Sequence, residues 1–201
     1  MGFVIFLFGA IVGSFLNVCI YRLPRDKSII MPNSFCPSCE KPIKYYDNIP
    51  ILSYILLKGR CRNCNTKISI RYPIVEFITA LLFLLLFKKT GLTIELPVMM
   101  LFVAILIVIS LIDLEFQIIP DILSIGGVAI GFVLSFIRPF FGFFDALYGI
   151  ILGGGVLFAI AYLYQLCTKR EGMGGGDIKL LGMIGAFIGI KGVLFSLISG
   201  S

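Results

Sequence analysis

LPVMMLFVAILIVISLI, residues 96 to 112, runs for 17 positions without a charged side chain and stops at Asp113. A membrane-spanning helix needs about 20 mainly apolar residues, and tilt with snorkelling ends widens that to roughly 17–25. The stretch therefore reads as a transmembrane helix that ends on a carboxylate. Five other segments qualify to differing degrees: Phe3 to Ile20, about Tyr72 to Phe87, Ile122 to Ile137, Ala146 to Cys167 and Ile178 to Ile198. The second of the six in chain order, Tyr72 to Phe87, is short, but Arg71 and Lys88 at its ends can snorkel to the headgroups.

Composition agrees. Hydrophobic residues make up 59% of the 201, with a mean hydropathy of +1.05, against roughly 45–50% apolar in soluble domains. The expected fold class is an all-α polytopic membrane protein with about six transmembrane helices. The 17 Lys and Arg against 11 Asp and Glu carry orientation information in such a chain and call for no nucleic-acid partner. Histidine is absent, which excludes serine–histidine hydrolysis, HExxH metalloproteases and histidine proton relays. Acid–base work falls to carboxylates, Lys, Tyr or Cys. The first apolar segment lacks the positive start and small-residue cleavage site of a removable signal peptide, so a retained helix is expected.

Between the first two spans, residues 21–71 hold ten of the 17 basic residues and four of the six cysteines. Three regions follow: a first transmembrane helix (1–20), a small soluble module (21–71) and a transmembrane core (72–201). A cytoplasmic module by the positive-inside tendency puts the chain start outside, and puts 168–179, with Lys169, Arg170 and Lys179, in the cytoplasm too. The loop after Ile112 then also faces inward, and the outer loops keep only Lys88, Lys89 and Arg138, with Lys191 undecided.

The module carries FCPSCEKPI and GRCRNCNTKI: Cys36-x2-Cys39, 21 residues, Cys61-x2-Cys64. Two such pairs place four thiolates around a closed tetrahedral site that suits structural zinc. Two disulfides are the competing reading, disfavoured in a reducing cytoplasm. Zinc here would staple a loop too small for its own core. Cys19 and Cys167 sit in or beside spans and read as plain apolar side chains.

A carboxylate at the bilayer centre costs ~2.5–3.5 kcal/mol on insertion scales, so each acid in or near a span needs a reason. Asp121 and Asp145 have one as helix N-terminal residues favoured by the dipole. Glu76 sits near Arg71 and can pair with it, so structural and functional readings are even. Asp113, at the cytoplasmic end of its helix, has the dipole against it. Asp177 opens a helix on the same side, inside GMGGGDIKLLGMIGAF, residues 172 to 187. Two such acids that meet share a proton, one acting as base toward water and the other as acid toward a carbonyl, which is aspartic-type peptide hydrolysis. Unrelated capping acids are the alternative. The preceding glycines allow positive φ and close approach of a substrate or helix, or else form a flexible linker.

The combination resembles the type IV prepilin peptidases, GxGD-type intramembrane aspartyl proteases. It rests on Gly174-Gly175-Gly176-Asp177, on SLIDLEFQIIPD with Asp113 and Asp121, on GSFLNVCIYRLPR, on the CPSC and CRNC pairs, on YDNIPILSYILLKGRCRNC and on RYPIVE. The motifs occur in the expected order over nearly the whole chain. The resemblance implies a bifunctional enzyme of the bacterial inner membrane. It would cut the basic leader of type IV prepilins or type II secretion pseudopilins on the cytoplasmic side, after a glycine. It would then transfer a methyl group from S-adenosylmethionine to the new N-terminal amine. Asp113 and Asp177 match the catalytic aspartates, and Cys36, Cys39, Cys61 and Cys64 the metal cysteines. Asn17, Arg22, Glu76, Gly174, Gly175, Gly176 and Lys179 lie in family-like motifs and are candidate substrate or cofactor contacts; no dinucleotide fingerprint marks the methyl donor's place. Members of that family continue with more apolar helix and a PFGPFL-like stretch beyond the point where this sequence ends, at SLISGS; the departure leaves both aspartates in place and bears on the cofactor and the last helices.

Two other classes remain open. A polytopic transporter or channel using the paired aspartates as cation or proton ligands predicts flux without cleavage, and gives the cysteines no role. A non-catalytic subunit of a secretion or pilus machine predicts that both aspartates tolerate Asn.

Overall fold

Prolines fall where a helix tolerates them, as the third residue of two long apolar helices (Pro73 and Pro97), in first turns whose N–H groups have no intrahelical partner. The computed structural model describes residues 1–31, 34–138, 141–168 and 174–200. Lys169 and Arg170, which served the orientation argument, and Gly172 and Met173 of the glycine-rich stretch lie outside the described residues. The chain divides into two compact units, Met1–Leu114 and Glu115–Ser201.

Unit 1 contains α1 (Gly2–Arg22), a short α2 (Leu52–Leu56), α3 (Arg71–Thr90) and all but the end of α4 (Glu95–Phe116). α1 lies along α3. Their backbones nearly touch: a Cβ on Gly9 would stand 2.7 Å from the Ala80 Cα, and one on Gly13 2.7 Å from the Glu76 Cα. This Gly-x-x-x-Gly contact replaces the hydrophobic drive that lipid removes with close van der Waals packing. Phe6 meets Phe77 edge-on beside it, ring centroids 6.1 Å apart.

Unit 2 contains α5 (Asp121–Ser135), α6 (Phe143–Ile150), a π-helical stretch (Ile151–Val156), α7 (Leu157–Thr168), α8 (Gly175–Ile188) and α9 (Ile190–Gly200). α8 is the centre, packed by α5, α6 and the π-helical stretch. Gly149 and Gly185 make the closest approach, where a Cβ on either would run into the other's backbone carbonyl. Gly127 and Gly131 of α5 receive Met183 and Phe187, both fully buried.

Every described element is helical or irregular, apart from two isolated bridges in the module. Among the described residues, three helical segments are long and apolar enough to cross a membrane: Gly2–Arg25, Glu95–Phe116 and Phe143–Thr168. The other expected spans fall short for visible reasons. α3 has 20 residues but carries Glu76, Lys88 and Lys89, and α5 has 15. The segment 178–198 is not one helix, because Gly189 takes φ +73° and ends α8, its N–H bonded to the Gly185 carbonyl at 2.8 Å. Apolar residues on both sides hide that break from a hydropathy reading. Arg138, expected in an outer loop, is buried. Its Nη1 donates to the Phe187 carbonyl at 2.6 Å, satisfying an orphan acceptor at the end of α8.

Candidate functional site

The two CxxC segments fold the same way. In the first, the Cys36 N–H donates to the Lys41 carbonyl at 3.0 Å and the Glu40 N–H to the Cys36 carbonyl at 2.8 Å. In the second, the Cys61 N–H donates to the Thr66 carbonyl at 2.9 Å and the Asn65 N–H to the Cys61 carbonyl at 3.0 Å. Glu40 (φ 55°) and Asn65 (φ 57°) take the same left-handed corner, and the bridges Phe35 to Pro42 and Arg60 to Lys67 close the two loops at matching positions. The four sulfurs lie within 4.8 Å of one another, Cys36 and Cys64 being 3.8 Å apart. Tetrahedral bonds of ~2.3 Å require sulfurs ~3.8 Å apart, so the donor set fits a metal ion. A disulfide needs about 2.05 Å, and all four are free thiols. The Thr66 hydroxyl beside Cys64 helps pull that thiol down to about 6. Cys39 is pushed up to about 11, since the Lys41 amide's opposing hydrogen bond is outweighed by its surroundings, the Cys64 and Cys36 sulfurs among them. Four thiolates this close need a cation to be held together.

Asp47, in the 3₁₀ turn Tyr45–Asp47, receives the Arg62 guanidinium through Nε at 2.8 Å and Nη2 at 2.7 Å. That fork ties the middle of the module to the second cysteine loop. It also holds the Asp47 carboxyl below its usual range.

Where the module meets α1, α2 and the start of α3, unit 1 holds a partly open cavity of about 840 Å³. Three sequence candidates line it: Asn17, Arg22 and Glu76. Asn17, 2% exposed, donates from Nδ2 to the Gly13 carbonyl at 3.3 Å and the Tyr72 carbonyl at 3.1 Å, while its Oδ1 is buried with no donor. Flipping the amide would set its oxygen against two carbonyls, so these partners fix its orientation. Glu76, 8% exposed, does not pair with Arg71; its Oε2 accepts the Ile51 N–H at 2.7 Å, with the Ser14 hydroxyl as its other neighbour. Arg22 turns to the Ser28 carbonyl at 2.9 Å. Sequence reasoning missed Ile51, a β-branched residue held at φ 63° where it donates to Glu76. Such a conformation costs of order 1–3 kcal/mol and collects at functional sites. Nothing local in the sequence announces it.

The carboxylates of the helices divide. Asp145 accepts the Gly142 N–H at 3.1 Å, and Asp121, first residue of α5, takes Lys179 Nζ at 2.6 Å, so both serve helix starts as expected. Lys179 is thereby engaged within unit 2. Asp113 and Asp177 are exposed, and neither side chain has a hydrogen-bond or ion-pair partner among the described residues. α4 runs through Asp113 to Phe116, so that acid sits in the last turn of the helix. Asp177 lies in the first turn of α8. The glycines before it use no positive φ, since Gly174 has φ −63° and Gly175 and Gly176 are already helical. Close approach is what they supply: a Cβ on Gly176 would stand 3.0 Å from Ile119.

A helical chain with membrane-length apolar segments and a four-cysteine cluster that fits a metal ion has the make-up of a membrane protein with a small metal-binding module. Residues 7–90 match the Bacterial Peptidase A24 N-terminal domain and residues 100–201 the Type IV leader peptidase family. The chain belongs to that family. It is similar to proteins named prepilin leader peptidase/N-methyltransferase from Myxococcus xanthus (40% identity, 99% of this chain), Neisseria gonorrhoeae (35%, 91%) and Pseudomonas aeruginosa (36%, 91%). It spans 60%, 72% and 71% of those proteins' lengths. No solved structure matches the chain.

Proposed function

We propose that this chain is a membrane aspartyl endopeptidase. It removes the leader of type IV prepilins or type II secretion pseudopilins at the cytoplasmic face and methylates the new N-terminus. The observation that carries the proposal is the division of the helix-end acids: Asp121 and Asp145 each have a structural partner, and the family-matched Asp113 and Asp177 have none among the described residues. One of the pair takes a proton from water as it attacks the scissile carbonyl. The other protonates that oxygen; as the C–N bond breaks, the proton on the first passes to the leaving nitrogen and one hydroxyl of the tetrahedral intermediate returns its proton to the second. The absence of histidine removes the commonest competing acid–base group.

The chain is set in the bacterial inner membrane with about six crossings, with α8 and α9 together as the last. The module and both aspartates face the cytoplasm, on the side with most of the basic residues. Zinc is the ion that four thiolates in closed tetrahedral array select, and its role is structural. S-adenosylmethionine supplies a methyl group on a sulfonium, which a primary amine takes directly. The cavity of unit 1 has the volume for such a donor, and the orphaned Asn17 Oδ1 on its wall fits an N–H of the donor or of the acceptor amine.

The test is to incubate the membrane-reconstituted protein with a prepilin, with and without S-adenosylmethionine, and weigh the product. Loss of the leader, followed by a methyl increment only when the donor is present, is expected. Ion flux through the liposomes without cleavage would favour a transporter instead.

A further inference from the structure

The α1–α3 wall of the unit 1 cavity presents two acceptors, Asn17 and Glu76, and its cation, Arg22 at the end of α1, is turned to the Ser28 carbonyl. Asn17 Oδ1 is a fixed carbonyl-type acceptor, exposing less than 1 Å² and so unserved by bulk water. Glu76, four residues from Tyr72 on α3, presents a carboxylate that forms no ion pair among the described residues. Of the basic side chains that line the same cavity, Arg22 is engaged by the Ser28 carbonyl and Arg62 by Asp47. Lys44 lies over the Tyr46 ring, 5.6 Å from its centroid, and Lys67 sits on the second cysteine loop. The remaining surface is mostly apolar, with Ile11, Phe15, Tyr54 and Leu57 among its residues. The backbone is also strained toward this wall, since Ile51 takes a left-handed φ to donate its N–H to Glu76. A buried carboxylate held by hydrogen bonds without a cation and an orphaned amide oxygen are each costly, and one ligand bearing positively charged N–H donors answers both.

We propose that Asn17 and Glu76 form a subsite for a primary ammonium group carried on an apolar body. The amine enters with its substituent against the apolar wall, donating to Glu76 and, by displacing the groups that cover that atom, to Asn17 Oδ1. Two sources supply that chemistry: the free N-terminus of a peptide beginning with an apolar residue, and the amino-acid end of the methyl donor. The inference rests on the methylation reading given above and assigns its positively charged nitrogen a place in this chain.

The experiment measures equilibrium binding to the full chain in nanodiscs. One arm uses a short peptide beginning with phenylalanine, with a free or an acetylated N-terminus; the other uses S-adenosylhomocysteine, with a free or an acetylated amine. In one of the two arms acetylation is expected to weaken binding by tenfold or more, and that arm names the source. Glu76→Gln keeps an acceptor for the Ile51 N–H, so the fold is retained while the charge is lost. This variant should erase most of the gap between free and acetylated ligand in that arm. Equal affinity for free and acetylated ligands in both arms, or an unchanged gap in Glu76→Gln, overturns the subsite. Leader removal by the same wild-type preparation reports the peptidase separately, so a protein that cuts prepilin without amine-dependent binding sinks this inference alone.

Discussion

The four-cysteine module of unit 1 and the helical bundle of unit 2 solve the same problem with opposite materials. The module has almost no apolar interior, and it stands on four sulfurs, paired backbone turns and the Asp47–Arg62 fork. The bundle has abundant apolar surface that lipid would solvate equally well, so it stands on bare glycine faces that let Gly149 and Gly185 bring their backbones together. The module is thus held by specific bonds that an experimenter can remove by chemistry, and the bundle by shape that only a larger side chain can spoil. Neither support involves Asp113 or Asp177.

That separation is tested first at its largest consequence. Asp113→Asn or Asp177→Asn removes a proton-transfer group without touching either support, so leader cleavage should fall by roughly 10²–10⁴-fold or more. Melting temperature and metal content should stay at wild-type values. Wild-type turnover by both variants would remove the catalytic assignment, and a collapsed melt would mean the acids belong to the scaffold after all.

The next effect falls on the module alone. Cys61→Ser, or a strong chelator, should strip the single metal ion expected per chain, because three thiolates cannot close the tetrahedral site. Metal analysis should read near zero. Proteolysis should then cut within residues 34–68, while the glycine-packed α1–α3 pair still resists. Retention of metal after the substitution would break the four-sulfur account.

The converse experiment goes to the bundle. Gly185→Leu drives a side chain into the Gly149 carbonyl, an overpacking that costs about 1–3 kcal/mol or more. Thermal unfolding should drop, and the metal content should hold at one. An unchanged melt would show that α6 and α8 separate without consequence.

Much of this contrast was legible beforehand, and the exceptions share a cause. The CxxC spacing, the charge-free run before Asp113 and the helix-start roles of Asp121 and Asp145 are local signals, and the fold realises each of them. The break at Gly189 was hidden because a glycine between two apolar helices looks like any other small residue in a span. Arg138 was read from its flanking sequence, yet its partner is Phe187, far along the chain. The cavity was unreadable for the same reason: Asn17, Ile51 and Glu76 come from three elements, and only packing decides that the Ile51 amide rather than Arg71 takes the Glu76 carboxylate.

The smallest expected effect concerns the fork between Asp47 and Arg62. Its hydrogen bonds hold the Asp47 carboxyl below its usual value, so the folded state binds that proton less readily than the unfolded chain does. Stability from the pair is therefore present in full above the unfolded value, near 3.9, and is lost as pH falls through the lower folded value. Arg62 is half-exposed, so salt screens the pair and its contribution at neutral pH is slight. Asp47→Asn should leave metal content and cleavage unchanged and lower the melting point of the module only marginally, the difference from wild type shrinking in high salt and vanishing at pH below the folded value. A large loss at neutral pH would mean that the module depends on this fork as much as on its sulfurs, and the contrast between a metal-held module and a shape-held bundle would have to be redrawn around the ion pair.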